Sequence, residues 1–469
     1  MFSLIFCFAV LTAGYCFYGK LVEKIISPDD RETPAVRLND GVDFMPIKSG
    51  KAFLIQLLNI AGTGPIFGAI MGACFGPVVF LWIIFGAVLG GAVHDYMVGM
   101  ISERHEGSSI AELAGIYLGN AAKWGMRIFS VVLLLLTGTV FVTSPAALIA
   151  DLTPESFTVK FWTVVILLYY ILATLLPIDK IIGKIYPLFG VTLITMAVGI
   201  LGGIIFGGYT VPEISFENMH PDKLPVWPYM FVTVACGAIS GFHATQSPII
   251  SKCITSEKEG RKIFYGAMIS ESVIALIWAA GGMAFYGTTH ALNDSLTAMG
   301  QSGVVYDISK GMLGSVGGIL AILGVVICPI SSGDTAFRSA RLIISEIIGA
   351  DQKKLANRLL ITIPLLGAGA VLTQLDFNAL WRYFSWSNQT LAMISLWIAT
   401  SYLLKKYSNK WASLITALPA SFMSAVSMTY ILMAKEGLRI SEKIAYPVGA
   451  AFAVCLFVIY LVKAKQKKK

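Results

Sequence analysis

The chain has 469 residues, of which 56% are hydrophobic and 13% charged, with a formal charge of +8. Soluble proteins carry about 25% charged residues, so this composition excludes a string of soluble domains, and no stretch outside the apolar segments is long enough to fold as one. The basic residues lie in short loops between apolar segments, where they act as topology determinants and form no nucleic-acid surface.

Apolar runs of about 17 to 25 residues, long enough to cross ~30 Å of hydrocarbon, fall at 2–19, 52–74, 77–101, 124–150, 160–178, 183–207, 227–250, 262–285, 313–345, 357–374, 379–404, 411–433 and 443–463. They predict an all-α polytopic membrane protein with about 13 transmembrane helices. No basic residue precedes the first run, and Lys20 and Lys24 follow it. That pattern reads as a retained helix with its amino end outside, not as a cleaved signal peptide. If the tail bearing Lys463, Lys465, Lys467, Lys468 and Lys469 is inside, 28 of the 35 basic residues fall on the inner side of a plasma membrane. Lys160, Lys223, Lys310, Arg382, Lys435, Arg439 and Lys443 are then outside, and the loop Ser27–Gly50 is cytoplasmic. The run at 313–345 is too long for a simple span and extends inward as a helix. Two outer loops, Gly207–Val226 and Tyr286–Gly311 with a helical pattern over Ala291–Met299, are candidates for a lid. The seven cysteines fall mostly within apolar runs and read as small buried hydrophobes.

The second run is interrupted by Asn59-Ile-Ala-Gly-Thr-Gly-Pro-Ile-Phe-Gly68, and the seventh by Cys236-Gly-Ala-Ile-Ser-Gly-Phe-His-Ala-Thr-Gln-Ser-Pro248. In hydrocarbon an unpaired amide costs several kcal/mol, so a broken helix persists only where protein, water or solute satisfies it. Without the first helix and the last two, ten helices divide into five and five, residues 52–207 and 226–404, entered from opposite sides. Residues 1–51 are then a leading helix and loop, and 411–469 two closing helices with a basic tail. Inverted repeats with discontinuous first helices describe the LeuT-type transporter core, which binds its solute at mid-membrane.

The first break offers Asn59, Ala61, Gly62, Thr63 and Gly64, whose carbonyls suit a cation and whose amides suit a carboxylate. Gly68, Gly72 and Gly76, four apart, read as close helix packing. The second break offers Ser240, Gly241, His243, Thr245, Gln246 and Ser247 as substrate contacts. His243, taken as the single histidine near mid-membrane, is also a candidate proton carrier. In the 313–345 run, Ser331, Ser332 and Thr335 have hydroxyls suited to Na⁺. Asp95, Asp334, Arg338 and Arg341 are candidates for a cytoplasmic gate, although Asp334 and Arg338, four apart, could simply neutralise each other. Asn388, within Ser387-Asn-Gln-Thr390, is a further substrate contact, and its glycosylation-like pattern sits too deep in a span to be used. No nucleotide-binding or metal-ligand spacing occurs, and no cofactor is expected beyond a coupling proton or Na⁺.

Five strings together resemble the carbon-starvation protein A (CstA) family: Asn59-Ile-Ala-Gly-Thr-Gly-Pro-Ile-Phe-Gly-Ala69, Gly91-Ala-Val-His-Asp-Tyr96, Ala244-Thr-Gln-Ser-Pro248, Gly333-Asp-Thr-Ala-Phe-Arg-Ser-Ala-Arg341 and Trp381-Arg-Tyr-Phe-Ser-Trp-Ser-Asn-Gln-Thr-Leu391. The resemblance spans residues 50–400 and implies an inner-membrane nutrient importer of the amino-acid/polyamine/organocation superfamily, taking up short peptides during starvation or, in close relatives, pyruvate with protons. The expected function is therefore a secondary active importer of a short peptide or a small 2-oxo acid, not an enzyme. The alternatives are an intramembrane aspartyl protease using Asp95 and Asp334, and a nutrient sensor that binds without transporting.

Overall fold

The computed structural model describes residues 1–40, 44–175, 178–352, 354–407 and 410–466. The tail residues Lys467, Lys468 and Lys469, on which part of the orientation argument rests, lie outside them, as do residues 41–43 of the Ser27–Gly50 loop. Among the described residues every regular element is helical. Seven helices are long and apolar enough to cross a membrane: α1 (Phe2–Ile26), α5 (Val78–Glu103), α7 (Asn120–Leu152), α12 (Glu257–Tyr286), α15 (Leu355–Leu372), α17 (Trp411–Met433) and α18 (Glu442–Gln466). An eighth span is a bent pair, α3 (Ser49–Ile60) and α4 (Gly64–Ala73), which meet at 51°.

The remaining apolar runs are also helical. Apart from the short α2 (Pro34–Arg37) and α6 (Ile110–Leu118), the other helices are α8 (Val159–Leu175), α9 (Ile178–Phe206), α10 (Val226–Met230 continuing into Phe231–Thr233), α11 (Phe242–Ser251), α13 (Thr289–Ile322), α14 (Cys328–Ile348) and α16 (Phe377–Lys406). Several are less apolar because their polar side chains turn inward. Ser385, Ser387, Asn388 and Gln389 of α16 are all buried, as are Ser331, Ser332, Asp334 and Thr335 of α14. A helix wrapped by other helices can carry polar groups that find partners there, whereas one facing lipid cannot.

The second break lies earlier than its residues suggest. Helical structure stops at Thr233 and resumes at Phe242, so the unwound stretch is 234–241, while His243, Thr245, Gln246 and Ser247 sit on α11. The long run at 313–345 also has a definite start. The chain leaves helical geometry at Gly300 and Gly314, both with positive φ, and then stays helical to Ile348. Thr289–Met299 is thus a separate short helix between two spans, as the Ala291–Met299 pattern predicts. Cys7, Cys74, Cys236 and Cys328 are buried as expected, but Cys455 is exposed on the outermost helix and Cys16 and Cys253 are half-buried.

The two broken helices occupy the middle of the bundle. The half-helix α4 packs on α12, and α11 packs between α3 and α5. α14 and α16 pack on α7, while α17 and α18 pack outward from α16. The α12 span is almost wholly buried, whereas α1, α15 and α18 leave most of their surface to the surroundings.

At the end of the bundle opposite Met1, a polar knot ties the leading segment to this frame. Arg104, at the end of α5, donates to both carboxylate oxygens of Glu257 at 2.8 and 2.7 Å, to the Ile26 and Ser27 carbonyls, and to the Tyr402 hydroxyl at 2.9 Å. Glu257 also faces Arg31 at 3.2 Å and accepts from the Asp29 amide. Thr33 and Ile47 bond the Ile254 and Cys253 carbonyls just before α12.

Candidate functional site

The breaks meet each other. A side chain at Gly64 would strike Cys236 Sγ at 2.4 Å, and one at Gly237, which has φ +89°, would strike Ala275 and approach Pro65. Glycine at both positions is what allows two unwound backbones to touch. The glycine row at Gly68 and Gly72 packs on the second broken helix, facing the Thr233 carbonyl and the Val234 side chain.

Asn388 bridges the second break to α16. Its Oδ1 accepts the Phe242 amide at 2.6 Å and the Ser240 hydroxyl at 3.2 Å. Its Nδ2 donates to Cys236 Sγ at 3.4 Å, and its own carbonyl accepts the Gly241 amide at 3.1 Å. Two amides at the start of α11 are thereby satisfied. Asn388 and Ser240, both expected to touch substrate, are engaged with each other, and Gly241 has no room for a side chain because its Cβ would lie 2.3 Å from the Asn388 carbonyl oxygen.

In the first turn of α11, His243 sits between two acids. Its Nδ1 donates to Asp95 Oδ2 at 2.8 Å, and Glu271 Oε2 lies 3.3 Å from its Nε2. Asp95 Oδ1 accepts from Nδ1 of His94 at 2.8 Å. All four side chains are fully buried. A carboxylate accepts only, so Nδ1 of each ring carries the proton. His243 Nε2 and both Glu271 oxygens make no hydrogen bond, although Nε2 and Oε2 face each other across 3.3 Å. A proton held between them would spare the dry site two unneutralised carboxylates, each costing several kcal/mol.

Glu271 and His94 are missing from the candidates read off the sequence, and His243 is not the single buried histidine. Both carried a signal, since an ionisable residue inside a span is a functional candidate by default. Gln56, also unforeseen, donates to the Ser247 hydroxyl at 3.2 Å, and Gln246 donates to Thr245 and, at 3.5 Å, to Ser339. Gln56 Oε1, Gln246 Oε1 and Thr63 Oγ1 are buried acceptors with no bond, clustered around the two breaks.

The expected gate is divided. Asp95 spends both oxygens on histidines, whereas Asp334 pairs with Arg338 on its own helix at 2.8 Å. The reason is helical phase: Asp95 faces α11, which packs on α5, while Asp334 belongs to α14 beside α7. Arg341 is buried one turn beyond. This separation also removes the paired carboxylates that a protease would need. Of the candidate cation ligands, Ser332 reaches toward the Leu58 carbonyl at 3.5 Å, and Ser331 and Thr335 bond carbonyls of their own helix. Asn59 and Ala61 are buried at the end of α3, with Cys328 Sγ 3.8 Å from the Ala61 carbonyl.

A model of the carbon starvation protein CstA family matches residues 1–161, 147–301 and 282–430. The chain belongs to the CstA family. A Haemophilus influenzae relative, described as an uncharacterized membrane protein, is 46% identical over 347 residues, 62% of this chain and 93% of that one. The peptide transporter CstA of Escherichia coli is 26% identical, covering 89% of this chain and 78% of that protein, and that of Bacillus subtilis 24% identical, covering 88% and 87%. The Escherichia coli alignment runs to 549 positions, longer than this chain, so that relative carries inserted segments. A crystal structure of a manganese transporter variant from Eremococcus coleocola superposes with a TM-score of 0.56 over 92% of this chain and 99% of its own, at 13% identity. That likeness shows the fold, and among the described residues no three His, Cys, Asp or Glu side chains converge as a metal site would require. This CstA-family chain is a multi-pass membrane transporter rather than an enzyme.

Proposed function

We propose that this CstA-family chain is a secondary active importer that brings a short peptide, or a small 2-oxo acid such as pyruvate, across the bacterial plasma membrane with a proton as coupling ion. The observation that carries the coupling is the dry Asp95–His243–Glu271 trio placed directly after the second break. A proton gained there changes the charge beside the unwound backbone, which couples protonation to how that backbone is arranged. The relatives named peptide transporters support the peptide as the first substrate to test.

The architecture supporting this reading is a 13-helix chain with a LeuT-type core of two five-helix inverted repeats, residues 52–207 and 226–404. Each half opens with a broken helix, and the breaks meet in the bundle's centre. In the proposed orientation Met1 is outside and the polar knot at Arg104 faces the cytoplasm. Substrate is held by the backbone of Asn59–Gly64, by Gln56, and by Thr245, Gln246 and Ser247, with their unpaired oxygens taking its donors. Sodium coupling is the second reading, because Ser332 and the Leu58 carbonyl together offer hard oxygens beside the first break.

Uptake by purified protein in liposomes tests both. Labelled dipeptide and labelled pyruvate are compared under an imposed proton gradient and, separately, a sodium gradient. Accumulation under the proton gradient alone is expected. Accumulation under sodium alone refutes proton coupling, and accumulation of neither solute by folded protein moves the assignment to a sensor.

A further inference from the structure

A second polar place lies between the breaks and the face that carries Met1. It is a half-open cavity of about 280 Å³ over the ends of α4 and α10, walled by Trp381 and Ser385 of α16, by Tyr430, Lys435 and Glu436 after α17, and by Asp222 of the Gly207–Val226 loop. At ~30 Å³ per water it has room for about nine waters, which suits a molecule of roughly ten heavy atoms.

Its polar groups are incompletely used. Glu436 binds Arg382 through Oε1 at 2.5 Å, while its Oε2 is buried without a partner. Trp381 Nε1 and Ser385 Oγ are likewise buried and unpaired, on side chains 2% and 1% exposed. Lys435 enters no ion pair among the described residues and is open to the cavity. What the cavity offers an occupant is charge of both signs, Lys435 and Arg382 against Glu436 and Asp222. A lone anion such as pyruvate would meet Lys435 and Arg382 but also the carboxylates of Glu436 and Asp222. A molecule carrying both charges meets a complement at each end.

We propose that this cavity is a first docking site for the zwitterionic backbone of a dipeptide, its ammonium at Glu436 and its carboxylate at Lys435. The site deepens the importer reading and rests on it for the substrate class. It lies ahead of the centre, since the Trp381 ring packs on Gly68 at the first broken helix.

The test is equilibrium binding of radiolabelled dialanine to the full chain in lipid nanodiscs, where no gradient exists to drive transport. Lys435→Ala and Glu436→Gln should each weaken binding five- to tenfold. Acetylating the peptide's amino end should cost as much, and Glu436→Gln should then have no further effect. Lys435→Ala alters an exposed, unpaired side chain, so its folding is not at issue. Unchanged dialanine affinity in both variants overturns the site even if the parent chain accumulates dipeptide. Accumulation of pyruvate alone by the parent, with no dialanine bound, overturns both the site and the peptide reading. Variant-sensitive binding without any transport keeps the site and removes the importer.

Discussion

Asn388 gives the sharpest test of how the second break is held. Replacing it with Ala removes the acceptor of the Phe242 amide and of the Ser240 hydroxyl, and the donor to Cys236. The Phe242 amide is sealed inside the bundle, so no water replaces the lost acceptor. A stranded buried donor costs about 1–3 kcal/mol; the Ser240 hydroxyl keeps its contact with Cys236 Sγ at 3.6 Å, so the Phe242 amide sets the expected loss at roughly 1–3 kcal/mol. Asn388→Asp should lose at least as much, because it keeps an acceptor for both bonds but buries an unpaired carboxylate in a site with no cation beside it. Reversible unfolding in mixed micelles by added SDS reads the difference between the variants. A cost below about 1 kcal/mol for Asn388→Ala would refute the reasoning, since it would mean that the amide finds another partner and the break is not tied to α16.

His243→Gln and Glu271→Gln should each abolish uphill uptake while leaving exchange of labelled for unlabelled solute; retention of proton-driven accumulation by either would remove that residue from the relay. Replacing Ser332 and Thr335 together with Ala should leave uptake unchanged under a proton gradient, and a clear loss together with sodium stimulation would favour the cation reading. Exchanging Asp334 and Arg338 should restore the function lost in either single change if they act as a local pair; failure of the exchange would indicate a directional role. The amino-terminal ammonium and the Ser3 hydroxyl and amide hold the Glu213 carboxyl down to about 2. A depressed carboxyl contributes to the docked state above the usual carboxyl range and loses that contribution as pH falls toward 2. The protection of the Phe2 and Ser3 amides, measured as exchange relative to the intrinsic rate at each pH, should therefore fall below about pH 4.5 and hold steady above it, and protection independent of pH would show that the contact does not anchor the end of α1.

Both helix breaks were legible, because glycine, proline and hydroxyl residues clustered inside an apolar run free backbone groups that hydrocarbon cannot satisfy. Where the second one ends was not. Nothing in Cys236–Pro248 announces that Asn388, from a helix far along the chain, accepts the Phe242 amide and lets α11 begin there. The same limit governs the charges. Asp95 was visible as an intramembrane acid, but its assignment to Asp334 and Arg338 followed shared depth alone. Depth does not fix which face of a helix a residue occupies, and the neighbour that faces Asp95 is α11 with His243. Glu271, a lone acid in an apolar helix, was readable as functional, whereas its histidine partner required the fold. The vestibule charges Arg382 and Lys435 were legible only as residues on one side of the membrane.

The knot around Arg104 has a kinetic meaning of its own. Five acceptors from α1, the following loop, α12 and α16 converge on a single guanidinium. Such a hub cannot be undone strand by strand, because each bond left in place holds the geometry of the others and a half-released guanidinium would strand the buried carboxylate of Glu257. The end of the bundle opposite Met1 should therefore come apart abruptly rather than by degrees. Individual molecules would show exponentially distributed waiting times with no lingering half-released state, and α1 with the loop after it would set how long each wait lasts.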